Sequence, residues 1–312
     1  CGISAIEDAK KVCQKLNIKH YVLNFNKVLE EKVIKNFCSE YLKGKTPNPC
    51  VQCNRYLKFG KLLEKAKSLG AKYLATGHYA KIGFDKASKK FQLKKAKDRH
   101  KDQTYFLFYL NQNRLKNILM PLGDLTKLEV RQIAKEQNLP VADKPGSQEI
   151  CFLPTDSYQE FLKNRYPEKI KPGKIVDKNN NVLGLHKGVS YYTIGQRQGL
   201  GIAWSEPLYI TSIDAKNNII CVGNKKELFS KGLIAKQLNF ISNINLDKKF
   251  LEAKVKIRYN HKEVSARIIG LGNKNCKVNF SEPVPAVTQG QAVVFYKEDI
   301  VLGGGIIERA IK

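Results

Sequence analysis

The feature that most constrains this chain is a change of hydrophobic period at Pro207. Beyond it, apolar and polar residues alternate in short runs: LYITSID, NIICVGN, EAKVKIRY, VSARIIGL, CKVNFSE, QAVVFY and VLGGGII. Successive side chains on a strand point to opposite faces, so such runs at a spacing of about ten residues predict an all-β barrel or sandwich. Before Pro207 the spacing is helical. Positions 5–18 and 27–42 repeat apolar residues at helical intervals, as in Val28, Leu29, Val33, Ile34, Phe37 and Tyr41. They flank an apolar run, His20 to Phe25, that reads as a strand. A helix over 59–69 closes at Gly70, and a short strand over 72–76 leads into Gly77 and His78. This order predicts a parallel α/β sheet, whose ligands lie beyond the carboxyl ends of its strands, and puts Gly77 and His78 at a site edge. Helices are also expected over 127–137 and 158–165, the second within a compact middle section that carries a glycine-rich stretch, YYTIGQRQGLGI. The expected units are an α/β domain over 1–145, a central domain over 146–205 and a C-terminal β-barrel over 206–312.

Charge narrows the partner. Lys and Arg number 55 against 28 Asp and Glu, a net charge of +27. A codon bias toward Lys would usually raise Glu too; here the acids stay low, and the excess points to a polyanion such as nucleic acid. It is no detachable tail, since residues 206–312 hold only 17 Lys and Arg against 10 Asp and Glu. At 42% hydrophobic residues, disordered, collagen-like and coiled-coil readings fall away. No run approaches the roughly 18 apolar residues of a membrane span, and the first twenty residues are amphipathic rather than signal-like. A cytoplasmic protein without a membrane partner is expected.

The eight cysteines are too scattered for a secreted disulfide framework and fit a reducing compartment. Only Cys50 and Cys53 have the C-x-x-C spacing, and no second pair completes a four-thiolate zinc site. They follow two prolines in Thr46-Pro47-Asn48-Pro49, which fix φ twice and stiffen the loop. Alone, the pair could be a redox dithiol, half a metal site or chance; nothing like a thioredoxin βαβ unit surrounds it. Cys151, in Ser147-Gln148-Glu149-Ile150-Cys151-Phe152, would by itself read as an inert core thiol.

In order along the chain, TPNPCVQCN, LKFGKLL, ATGHYAKI, KDQTYFL, SQEICF, YTIGQRQGLGI, VTQGQAVVFY and LGGGII resemble the motifs of the tRNA-specific 2-thiouridylases, the MnmA family. The resemblance covers essentially the whole chain. It implies a parallel-sheet α/β domain of the ATP-pyrophosphatase type (adenine nucleotide alpha hydrolase-like), a small central domain and a C-terminal β-barrel. The activity implied is ATP-dependent transfer of persulfide sulfur to C2 of the wobble uridine of tRNA, with Mg accompanying ATP and a cysteine desulfurase or relay protein as sulfur donor. Carried over by motif, Cys151 bears the persulfide, Cys53 is the nucleophilic partner thiol, and the two close a transient disulfide. Asn48, Pro49 and Cys50 would hold the flipped base. Gly77 matches an ATP contact, and His78, Lys101, Asp102, Gln103, Arg258, Tyr259 and Gln291 match tRNA contacts. Without the resemblance, His78 would read as a structural strand-end histidine and the others as solvated loop or strand residues.

Three features depart from the family pattern. Cys50 stands where many members have Asp, and Gly146 where an acidic residue is common. The Ser-Gly-Gly-x-Asp-Ser phosphate loop does not occur in this sequence, and the chain opens with Cys1, so an N-terminally incomplete chain is expected. Two alternatives accompany the leading reading. One is an iron-sulfur thiolase in which Cys50, Cys53 and Cys151 ligate a [4Fe-4S] cluster with one iron open to sulfide. The other is a tRNA-binding fragment without catalysis.

Overall fold

A computed structural model describes residues 3–144, 150–153, 157–242, 244, 246 and 249–312. The first unit opens with a helix, Ile3–Lys15, followed by one over 26–42. Between them, His20 to Phe25 corrects the expected strand: the segment has no regular secondary structure, and Tyr21 and Val22 are 68% and 64% exposed. A strand needs a neighbour to satisfy its backbone, and among the described residues none pairs here. The parallel sheet is present as two short strands, β1 (Leu74–Ala75) and β4 (Ile118–Leu119), in register Leu74 with Ile118. The helix expected over 59–69 starts earlier and spans 49–68, because Asn48 caps it through Oδ1 to the Val51 amide (3.3 Å) and Pro49 occupies its first turn. Gly70, at φ +83°, ends it as expected. Thr126 and Glu129 form a reciprocal cap on the helix Lys127–Glu136.

The central sheet contains β5 (Gly173–Val176), β6 (Val182–His186), β7 (Tyr209–Asp214) and β8 (Ile219–Gly223), in the order β6-β5-β8-β7. This corrects the assignment of LYITSID and NIICVGN to the barrel. Alternation identifies a strand but not its partner; Ile175, Ile210, Ile220 and Val222 close a separate core around this sheet.

The barrel has six antiparallel strands. They are β9 (Phe229–Phe240), β10 (Phe250–Lys256), β11 (Val264–Gly272), β12 (Asn275–Pro285), β13 (Ala292–Lys297) and β14 (Ile300–Ile311). Their order is β13-β10-β11-β12-β9-β14, closed by pairing of β14 with β13. β9 escapes the alternation pattern because Gly232 sits where a side chain is expected; a Cβ there would lie 2.3 Å from the Val278 carbonyl oxygen. A hairpin from the first unit, β2 (Ala80–Asp85) and β3 (Lys90–Lys95), extends this sheet through β14. Phe59, Leu63, Tyr105 and Phe108 of the first unit share one core with Val294, Tyr296 and Val301 of the barrel. The α/β unit and barrel are therefore one packed body on this side.

Candidate thiol site

The loop before the cysteines is bonded to both other units at a single residue. Thr46 donates its amide to the Gln289 carbonyl (2.9 Å), accepts from Gln291 Nε2 (3.0 Å), and its hydroxyl meets that of Thr193 at 3.0 Å. Gly290, at φ +87°, lets the barrel turn pass under Lys45 and Thr46; a Cβ would stand 3.1 Å from Lys45 Cβ. Pro47 and Pro49 are buried beyond this clamp, so the loop delivers Asn48, Cys50 and Cys53 in a fixed direction.

Cys50 is exposed and lies in the first turn of the helix, while Cys53, one turn on, is half-buried. Cys53 opens a π-helical stretch, Cys53–Leu62. Wider turns of this kind bring residues five apart toward one face, a geometry frequent at functional sites. The residue five beyond Cys53 is Lys58, which the sequence reading passed over. Burial pushes the Cys53 thiol up to about 11, and the Lys58 ammonium opposes the shift. Although Cys50 is exposed as a residue, the protein packed around its sulfur desolvates the thiol and raises it.

Cys151 comes from the far side. Its neighbour Phe152 packs edge-on to Phe37 (centroids 5.3 Å apart) and against Phe161 (5.8 Å), pinning the segment to the helices 26–42 and Tyr158–Arg165. Cys151 itself is exposed, which removes the reading of an inert core thiol. A charge on Cys151 would raise both the Cys50 and the Cys53 thiol, which brings a sulfur about 100 positions away in sequence into the locale of the pair. The acidic-residue position Gly146 and the motif residues Ser147 to Glu149 lie outside the described residues. Among the described residues, no three His, Cys, Asp or Glu side chains converge as a metal ion requires. The iron-sulfur alternative would draw its three thiolates from Cys50, Cys53 and Cys151.

The remaining expected residues fall into two groups. Tyr259 packs on Phe106 (4.6 Å), whose carbonyl accepts from the buried Asn54 beside Cys53 (3.2 Å). Arg258 Nη2 donates to the carbonyls of Ile194 (2.9 Å) and Ala286 (2.9 Å) and to the Thr288 hydroxyl, joining the central unit to the barrel. Gln291 is occupied with Thr46, and Lys101 is exposed. Two residues face inward instead. Asp102 is 7% exposed and accepts from the Ala96 amide (2.9 Å) and Thr104 Oγ1 (2.6 Å). His78 is 8% exposed, bonded to Thr76 Oγ1 (2.9 Å) and tilted against Phe59 (5.4 Å). Burial, assisted by Lys58, lowers its pKa to about 4. Gln103 Oε1 accepts the Tyr79 amide (3.0 Å) and ties its loop to that strand end. At Gly77, by contrast, a Cβ would make only ordinary contact, 3.6 Å from Leu122 Cδ1.

These features define a class: an α/β domain presenting paired thiols, a central unit bonded to their loop through Thr193, and a β-barrel that clamps the same loop. Three family models match in the same order. They are described as the tRNA methyl transferase HUP domain (residues 1–155), the tRNA methyl transferase PRC-barrel domain (159–224) and the aminomethyltransferase beta-barrel domain (230–307). The chain is 50% identical over 311 residues to the tRNA-specific 2-thiouridylase MnmA of Carboxydothermus hydrogenoformans, covering 100% of this chain and 85% of that protein. It is 48% identical over 310 residues to the protein of that name from Natranaerobius thermophilus (99% and 84% covered), and 50% identical over 308 residues to that from Acetivibrio thermocellus (99% and 86%). The chain belongs to the tRNA-specific 2-thiouridylase family.

Proposed function

We propose that this protein is a tRNA-uridine 2-sulfurtransferase that carries sulfur on Cys151 and releases it with Cys53. What supports this reading is that Cys151, exposed on a segment held by Phe152 against Phe37, is electrostatically coupled to both Cys50 and Cys53. The names of two matching family models speak of methyl transfer, but opposed thiols suit sulfur transfer.

The uracil C2 carbonyl is a poor electrophile, so its oxygen is first adenylated by ATP, with loss of pyrophosphate, making AMP the leaving group. The outer sulfur of the Cys151 persulfide attacks C2 and AMP departs. Cys53, as thiolate, then attacks Cys151 Sγ; the S–S bond breaks, its electron pair stays with the sulfur on C2, and a Cys53–Cys151 disulfide remains. A cellular dithiol reduces that disulfide, and a persulfide-bearing donor protein recharges Cys151, whose exposure suits such a hand-over. Mg accompanies ATP in this scheme. Gly77 suits an ATP contact, because protein packing does not require glycine there while close approach of a ligand would. Asn48, Pro49 and Cys50 would border the flipped base. Lys101, Arg258, Tyr259 and Gln291 would meet the tRNA, with Asp102, Gln103 and His78 shaping the loops that present them. No helix among the described residues is long and apolar enough to cross a membrane.

Two variants test the assignment. Cys151→Ser should abolish 2-thiouridine in digested tRNA, read by mass spectrometry, with tRNA affinity within about twofold of the parent. Cys53→Ser should also stop turnover while a persulfide accumulates on Cys151. Thiolation by Cys151→Ser would remove that residue from its role.

A further inference from the structure

The glycine-rich stretch of the central unit has no part in the scheme above, yet it is built as a presenting loop. Residues Arg197 to Leu208 line an open cavity of about 630 Å³. Its root is fixed: Gly195 and Gln196 bond Ile210 across it, the Gly195 amide donating to the Ile210 carbonyl (2.8 Å) and the Ile210 amide to the Gln196 carbonyl (3.0 Å). Next to that root, Thr193 meets Thr46 and the Ile194 carbonyl accepts from Arg258, so the loop springs from the thiol site. Its apolar residues are mostly used for packing. Leu200 is buried, and Ile202 and Leu208 pack on the central core. Trp204, the only tryptophan of the chain, is left outside at 54% exposure. The chain gains little from burying it, and Gly199 and Gly201, both in left-handed backbone, shape the turn that holds it out. Arg197 is exposed at one end of the same cavity, and Lys225 and Lys226 line a neighbouring hollow that shares Glu206 and Pro207 with it.

An exposed indole flanked by cations, on a loop whose root is bonded to Thr46 and Arg258, matches the chemistry of single-stranded RNA: every base offers a π-face, and every phosphate a charge. We propose that Trp204 is a stacking platform for an unpaired base of the bound tRNA, with Arg197 on an adjoining phosphate. This rests on the tRNA reading above and adds an RNA contact in the central unit.

The lone tryptophan makes the test direct. Titrating the protein with tRNA should quench its indole emission in step with binding measured by gel shift. Trp204→Ala should weaken tRNA binding about tenfold, Trp204→Phe less, and neither should move the thermal midpoint, since the side chain is outside the core. Arg197→Ala should lower the slope of log K against log salt by about one. Binding of tRNA with unchanged emission, or with full affinity in Trp204→Ala, would overturn the platform and leave the tRNA reading intact. A loss of affinity accompanied by a fall in thermal midpoint that Trp204→Phe restores would make the indole structural and also overturn it. Failure of the parent protein to bind tRNA at all would remove both.

Discussion

A thiol that should act once per turnover benefits from staying protonated until its moment. Cys53 is in that state, held up to about 11 by burial against the pull of Lys58, whereas Cys151 is open to solvent. Iodoacetamide at neutral pH should therefore label Cys151 well before Cys53, and Cys53 labelling should accelerate about tenfold per pH unit up to the alkaline range; peptide mapping reads both. His78 carries a second pH dependence. Its folded pKa of about 4 lies below the ordinary 6.5, so an unfolded chain takes up the proton first. Stability from this residue is thus full above pH 6.5 and falls as pH drops toward 4, by at most about 3 kcal/mol. His78→Gln should flatten the fall in thermal midpoint over that window. At this scale the sequence marked the thiols, because two prolines and C-x-x-C stand out as letters. It did not mark Lys58, whose relation to Cys53 depends on a π-helical turn that no 3.6-residue period reveals.

Elements meet here through single residues that lock them. Arg258 bridges the Ile194 loop and the turn at Ala286 and Thr288. Arg258→Ala leaves the Ile194 carbonyl without its donor, while the Ala286 carbonyl keeps the Thr288 hydroxyl, and should cost about 1–3 kcal/mol in urea unfolding; Arg258→Lys, with one ammonium on a flexible stem, should recover only part. The glycine run on β14 is a joint of another kind. A Cβ at Gly304 would lie 2.6 Å from the Val293 carbonyl oxygen and 2.9 Å from the Phe108 ring. Gly304→Val should accordingly lower the thermal midpoint and loosen the α/β unit with the barrel, seen as faster amide exchange in both. The helices over 127–137 and 158–165 were legible because their caps and periods are local. The partners of β7 and β8, the strand β9 broken in pattern by Gly232, and the unpaired His20 to Phe25 were not, since sheet pairing is decided by distant chain.

For the molecule as a whole, the net charge of +27 gives a measurable expectation. Affinity for tRNA should fall linearly in log K against log salt, by orders of magnitude between about 50 and 200 mM if six or more phosphates are met. Filter binding across that range reads it, and a flat line would contradict the polyanion reading. The shared core of the α/β unit and barrel has a consequence in time. β3 is stitched to the far end of the chain: Lys95 Nζ donates to the Glu298 carbonyl, 203 positions away (3.0 Å), and Lys94 registers with Ile300. At about 5–20 residues per second of synthesis, Leu93 and Phe108 wait roughly 10–40 s for their partners after leaving the ribosome. During that interval the unpaired edge of β3 and the apolar side chains Leu93 and Phe108 are open to other chains, so the nascent protein passes through a stage that a holding chaperone would shelter.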